Sequence, residues 1–237
     1  IIRIGENLSI CDNIDKIKKD IENIKEKKNI DYDIKLIAVS KTVDSQRVRE
    51  AYEHGHRDFA ENKVQELLKK KEELKDLDID FHMIGYLQSN KVKYLVHNTK
   101  LIHSLDRKSL LKEMEKRGRK ENYTFNCLIQ VNLAKEESKS GIYLEDLEEF
   151  LNLIEETSYV KVHGLMMIAP YAEDVEDIRM LFRKMHELFL DLKKRSFKNI
   201  KMDYLSMGMS HDYKVAIEEG ANIIRIGTDI FGKRVYN

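Results

Sequence analysis

The chain has 237 residues, and its 42 Lys+Arg balance 42 Asp+Glu, so the formal net charge is zero. That balance argues against a nucleic-acid binder, which needs a basic stripe to displace counterions. Cys11 and Cys127 are the only cysteines, too few for a disulfide framework or a CxxC metal site. No apolar stretch approaches the roughly 20 residues that span a bilayer, and no signal-peptide pattern opens the chain. The expectation is a soluble protein of the reducing cytoplasm. With one proline (Pro170) and no Gly/Ser/Pro-rich linker, residues 1–237 are expected to form a single domain.

An amphipathic helix comes first, within residues 1–30: Ile10, Ile14, Ile17, Ile21 and Ile24 recur at helical spacing, with Ser9 and Asp12 suited to its N-terminus. From there short apolar runs alternate with amphipathic segments as far as residue 232. Strands are predicted at 34–40, 57–60, 80–84, 101–104, 125–132, 160–168, 202–206 and 222–226. Helices are predicted at 44–54, 63–75, 89–97, 107–120, 144–156, 175–194 and 211–219, with a last short turn at 228–232. In the helix at 175–194, Val175, Ile178, Leu181, Met185, Leu188 and Leu192 form one face. The lysine runs at 16–19 and 69–71 are interleaved with carboxylates and read as solvated helix faces. Such alternation implies a parallel sheet covered by helices, and eight repeats in about this length fit a closed (β/α)8 TIM barrel. An open doubly wound sheet is the weaker alternative, because the first strand–helix turn lacks GxGxxG.

Barrel chemistry sits at the C-terminal ends of strands, and the unusual residues of this chain fall there. Lys41 closes the first strand, where a lysine is partly desolvated, loses basicity and becomes a nucleophile for carbonyl compounds. Glu61 and Asn62 follow the second strand, His82 and Gly85 mark the third, Ser104 the fourth and Asn132 the fifth. Met166 and Met167 close the sixth, residues 206–210 (SMGMS) follow the seventh, and 225–228 (RIGT) end the eighth. Ser210 stands before the predicted helix 211–219, and Gly227-Thr228 leads into the final turn. Helix N-termini with glycine nearby favour anions, and barrels often hold a phosphate between the last two loops. Either loop alone reads as ordinary capping; the two together with Lys41 read as a phosphate site. Arg225, costly to bury unpaired, either meets a structural carboxylate such as Glu61 or faces an acceptor on a ligand. His54 and His56 flank Gly55 at a helix C-terminus, His103 reads as a core histidine, and no metal site is expected.

The runs LIAVSKTV (36–43), FAENKVQE (59–66), FHMIGYLQSNKVK (81–93), IHSLD (102–106), LIQVNLAKEESKSGI (128–142), GLMMIAP (164–170), LSMGMSHDYKVAI (205–217) and IRIGTDIFG (224–232) resemble the pyridoxal phosphate homeostasis protein family. The resemblance covers residues 34–232 in order. It implies a barrel like the N-terminal domain of alanine racemase (fold type III of pyridoxal-phosphate proteins), preceded by an extra helix. It further implies pyridoxal 5′-phosphate as cofactor, held as a Schiff base on Lys41. Ser210, Gly227 and Thr228 would hold the phosphate, with Ser206 or the backbone of Met207. Arg225 would sit by the pyridine nitrogen, and Asn62, His82 and Met166 would line the ring. Phe81 and Tyr86 depart from the family pattern, where tryptophan and histidine are common.

Three functions compete. The first is a carrier in intracellular pyridoxal-phosphate homeostasis, non-catalytic, with cofactor-dependent apoenzymes as recipients and either a monomer or a weak dimer as its state. The second is an amino-acid racemase. That needs a base opposite Lys41; in the racemases a tyrosine of a second domain supplies it, and this sequence stops at Asn237. Tyr86 and Tyr143 are the substitutes on offer. The third is a class I aldolase using Lys41 on a sugar phosphate. Lys41 on strand one with Arg225 near the phosphate loop speaks against the aldolase, and the lack of a second domain in this sequence, with a site open on one side, favours the first.

Overall fold

The computed structural model describes residues 9–136 and 138–232. Helix α1 (Ile10–Lys28) starts in a capping box, in which the Ser9 hydroxyl accepts from the Asp12 N–H and the Asp12 carboxylate returns the bond to Ser9. Its five isoleucines, 10, 14, 17, 21 and 24, are all buried. Eight parallel strands follow: β1 (Lys35–Val39), β2 (Asp58–Glu61), β3 (Asp80–Met83), β4 (Leu101–Leu105), β5 (Phe125–Gln130), β6 (Val160–Met166), β7 (Ile200–Ser206) and β8 (Ile223–Ile226). They pair in chain order and β1 pairs with β8, closing the barrel. The connecting helices are α2 (Ser45–Glu53), α3 (Val64–Glu73), α4 (Lys108–Glu121), α5 (Leu144–Glu155), α6 (Glu176–Lys193), α7 (Tyr213–Glu218) and, after β8, α8 (Thr228–Phe231).

The chain therefore forms the expected (β/α)8 barrel with a helix in front, and the differences are local. The segment after β3 is a 3-10 helix over Ser89–Tyr94 rather than an α-helix. The helix expected at 211–219 begins only at Tyr213, because Asp212 turns back to accept the Met209 N–H at 2.5 Å. On α6 the buried face is Ile178, Phe182, Met185, Phe189 and Leu192, while Leu181 and Leu188 stand at its edge, half-buried. The large rings at 182 and 189 draw the stripe toward themselves. Residues 1–8 and 233–237 of the expected single domain lie outside the described residues. Among those described, no helix is long and apolar enough to cross a membrane.

Strand alternation sorts the side chains into two cores. Ile37, Val39, Ala60, Leu101, Leu128, Met166 and Ile223 pack together inside the barrel, with Ile84, Ile168 and Tyr204 against them. The opposite faces of the same strands, including Leu36, Ala38 and Phe59, join the helices in the larger outer core. Helix α1 lies over α7 and α8: Asn13 Nδ2 donates to the Ile230 carbonyl at 3.0 Å, and the Tyr213 hydroxyl donates to Asp20 at 2.8 Å.

The β6–β7 register shifts between Val162 and Gly164, and at Gly164 (φ 142°) an added Cβ would stand 1.8 Å from the Tyr204 carbonyl oxygen. No side chain fits there. Gly164→Ala is expected to cost about 2 kcal/mol or more, a fall of roughly 5 °C or more in thermal midpoint for a domain of this size. A melt within a degree of the wild type would show that the bulge relaxes freely.

Candidate functional site

The alternation of β1 turns Ile37 and Val39 inward, and Lys41 follows two residues beyond the strand's end, half-buried in the turn at the C-terminal mouth. Closure brings β8 alongside: Ile37 is in register with Arg225, and Ala38 with Ile226. The next residue, Gly227, lies against Val39, whose carbonyl oxygen would be 3.2 Å from an added Cβ. Lys41, Arg225 and Gly227, scattered in sequence, thus share one wall of the mouth. Asn62 and Met166 follow the inward parity of Ala60 on β2 and of β6 itself, where Met166 is fully buried.

Arg225 is buried inside the barrel, and among the described residues no carboxylate is in hydrogen-bond contact with it. Its guanidinium donates to Ser206 Oγ at 2.6 Å and to the Met167 carbonyl at 2.9 Å. Burial pushes its pKa down to about 10, opposed by the charge of Asp212, so it stays a cation at neutral pH. Glu61, one expected partner, points the other way, into the layer between sheet and helices.

From Ser206 a chain of polar groups runs down the barrel. His103 Nδ1 lies 3.0 Å from Ser206 Oγ, His103 Nε2 lies 3.1 Å from His82 Nδ1, and His82 Nε2 lies 3.0 Å from Asp58 Oδ1. Lys35 closes the chain at the N-terminal mouth, donating to both Asp58 oxygens at 3.0 Å. Burial pushes the Asp58 carboxyl up, but the hydrogen bonds and charges of His82 and Lys35 outweigh it and hold it at about 2. Burial lowers both histidine pKa values, His103 well below 6.5, with the charges of His82 and Arg225 adding to the effect there. An ionised Asp58 only accepts, so His82 donates from Nε2 and accepts at Nδ1. His103 then donates from Nε2 and accepts at Nδ1, which leaves the Ser206 hydroxyl proton to point at His103 and its lone pair at Arg225.

The structure bears on three of the expected contacts. His82 does not offer a nitrogen to a ring at the C-terminal mouth, because both are committed below and beside it, and it lines a cavity of about 240 Å³ with Lys35 and Lys100 at the opposite end. In this structure the Ser206 hydroxyl is bonded to Arg225 and His103. The Met207 N–H is spent on the Ile223 carbonyl at 3.1 Å, which removes it from the phosphate donors. The loops carrying Ser210, Gly227 and Thr228 do converge: the Asp229 N–H in the first turn of α8 approaches Ser210 Oγ at 3.4 Å. Gly208 takes φ 95°, and a Cβ there would stand 2.7 Å from Ala216, so this loop is drawn tightly against α7.

Sequence reasoning missed Lys70. Read as part of a solvated lysine run, it is 3% exposed and bonded to Glu61, Glu66 and the Ser40 carbonyl. The signal was present: Val64, Leu67, position 70 and Leu74 form one helical stripe, and the other three are buried. Tyr86 is 56% exposed and stacked under Arg107 at 4.3 Å, and Tyr143 precedes α5 as its N-cap. Among the described residues no three His, Cys, Asp or Glu side chains gather as a metal site.

Folded-state pKa values below 6.5 at His56 (about 4), His82 and His103 mean that the unfolded chain takes up these protons first. The three histidines therefore withdraw stability as pH falls from 6.5. Glu61, Asp106 and Asp212, whose pKa values are raised, act in the opposite sense. The cleaner measurement is imidazole 15N shifts: His82 and His103 are both expected as the neutral Nε2–H tautomer at neutral pH and at their ordinary midpoint of 6.5. Titration of either ring near 6.5 would break the assigned donor order.

The family model for the alanine racemase N-terminal domain matches residues 13–235. A pyridoxal phosphate homeostasis protein of Aquifex aeolicus is 52% identical over 202 residues, covering 85% of this chain and 88% of the relative. The structure of PipY from Synechococcus elongatus with pyridoxal phosphate bound superposes with a TM-score of 0.84 at 32% identity, covering 94% of this chain and 100% of PipY. Alanine racemase from Corynebacterium glutamicum shares the fold alone, at a TM-score of 0.67 and 13% identity over 94% of this chain and 62% of that one. The chain belongs to the pyridoxal phosphate homeostasis protein family, on the alanine racemase N-terminal barrel.

Proposed function

We propose that this protein binds pyridoxal 5′-phosphate at the C-terminal mouth and serves its intracellular homeostasis and carriage, in the cytoplasm, with cofactor-dependent apoenzymes as recipients. The observation that supports this most is the β1–β8 closure, which sets the strand ending at Lys41 against the one carrying Arg225 and Gly227. The relatives' names and the ligand in PipY point the same way.

The residues present fit such a group. Gly227 leaves the space beside Val39 that a side chain would fill, and the buried Arg225 presents a cation braced from behind. Lys41 would supply the amine, Ser210, Gly227 and Thr228 the phosphate contacts, and Asn62 and Met166 the walls beside the ring. Bound there, the cofactor supplies an aldehyde that the lysine masks as a Schiff base. Arg225 offers only donors, so it would favour an unprotonated ring nitrogen beside it, and such a ring would withdraw electrons poorly. That suits holding the cofactor better than stabilising a carbanion. Of the two tyrosines considered as opposing bases, Tyr86 is more than half exposed with its ring against Arg107.

The purified protein is expected to develop a visible absorption band with pyridoxal phosphate, quenched by borohydride and missing in Lys41→Ala. Robust racemase turnover of a common amino acid, abolished by the same substitution, would overturn the carrier reading. A protein that stays colourless would refute cofactor binding and bring a lysine-dependent aldolase forward.

A further inference from the structure

The three-residue turn that carries Lys41 is held from the helix layer by one buried cation. Ser40 continues the outward parity of β1, and its side chain and that of Glu61 are fully buried between the sheet and α3. Lys70 Nζ, on α3, donates to the Ser40 carbonyl at 2.5 Å, to Glu61 Oε1 at 2.6 Å and to Glu66 Oε1 at 3.0 Å. Those three bonds use all the protons an ammonium has. The Ser40 hydroxyl donates to the same Glu61 oxygen at 2.6 Å. On the far side of Lys41, the Thr42 N–H donates to the same Glu66 oxygen. Thr42 itself sits at φ 64°, a left-handed conformation that a β-branched residue adopts only when its surroundings impose it.

Both residues flanking Lys41 are thus tied to one ammonium, the first through its carbonyl and hydroxyl and the second through Glu66. Two carboxylates share this one cation, and Glu61 Oε2 has no hydrogen-bond partner among the described residues. We propose that Lys70, with Glu61 and Glu66, is a positioning residue for Lys41: it fixes the 40–42 turn and so sets the direction and reactivity of the lysine amine. The inference rests on Lys41 being the residue that takes up pyridoxal phosphate. Its chemistry is that of a clamp, and Lys70 itself forms no bond to the ligand.

The test uses the full chain as Lys70→Met, Lys70→Arg and Glu66→Ala, with Met114→Ala as a control. Glu66 is on the surface side of the cluster, with a side chain 22% exposed, so its variant folds even where Lys70→Met does not. Met114 is buried in α4, away from this turn. Two readouts are taken: the rate at which the visible band forms with pyridoxal phosphate, and the rate at which cofactor-free protein is acetylated at Lys41 by acetic anhydride, followed by peptide mass spectrometry. Lys70→Met and Glu66→Ala are expected to slow band formation about tenfold or more and to change Lys41 acetylation about threefold or more relative to the exposed Lys214. Lys70→Arg should recover part of both, and Met114→Ala should leave both unchanged whatever it does to the melting temperature. Variants that lose thermal stability yet keep wild-type rates at Lys41 would show the cluster to be packing only. Acetylation that responds to the variants, in a wild type that forms no band, would keep the clamp and reject the cofactor reading.

Discussion

Everything at the C-terminal mouth depends on the hydrogen bonds that close β1 onto β8. Arg225 follows Ile37 by nearly the whole length of the barrel, yet the parallel register makes them neighbours. Closure also removes the two edges an eight-stranded sheet would expose. It lets an arginine be buried in the interior, because a guanidinium there needs acceptors from several strands at once. Ser206 of β7 and the carbonyl of Met167 just beyond β6 supply them. In an open sheet β8 and β1 would lie at opposite edges, and neither the arginine nor Gly227 would face the strand that ends at Lys41.

The interior below that arginine carries its polarity in the cheapest form available. Full charges stand at the two ends, with Arg225 toward one mouth and the Lys35–Asp58 pair at the other. Between them lie two neutral imidazoles and a hydroxyl, each of which donates once and accepts at least once. A neutral histidine costs far less to desolvate than an imidazolium, and a chain of single donors has only one arrangement that satisfies every member. The direction of the Ser206 hydroxyl, and with it the acceptor presented to Arg225, is thereby set from Asp58 several residues lower. Ile37, Leu128 and Met166 belong to the apolar cluster of the same interior.

Periodicity and loop chemistry made the architecture readable: the isoleucine stripe of α1, the eight strands, and the placement of Lys41, Ser210, Gly227 and Thr228 at strand ends are local features. What stayed hidden is what depends on partners from other strands. His82 lies near the end of its own strand, but the stagger of a barrel puts it level with Leu101 at the beginning of the next, and Asp58 draws its ring downward. Ser206 and Met207 follow the same logic, their donors claimed by neighbours on β4 and β8. Lys70 was misread because a charge run is judged by its own helix, whereas its compensation comes from the ends of β1 and β2.

The placement of these partners separates what must stay rigid from what must let go. Arg225 and the polar chain are built into the strands, and the turn at 40–42 is anchored to α3, so the walls around the mouth are determined by the barrel itself. The phosphate-side candidates differ: Thr228 is exposed, Ser210 is half-buried, and the Asp229 N–H reaches Ser210 Oγ only at a long 3.4 Å. On the proposed reading, release of the cofactor would need one water to hydrolyse its bond to Lys41 and the loss of a few contacts to short loops, with no strand displaced. An enzyme that stabilises a carbanion gains from a closed, dry site and an electron-withdrawing ring. A carrier gains from the reverse, a preformed amine and cation under loops that release cheaply, and the division between wall and loop in this barrel follows that requirement.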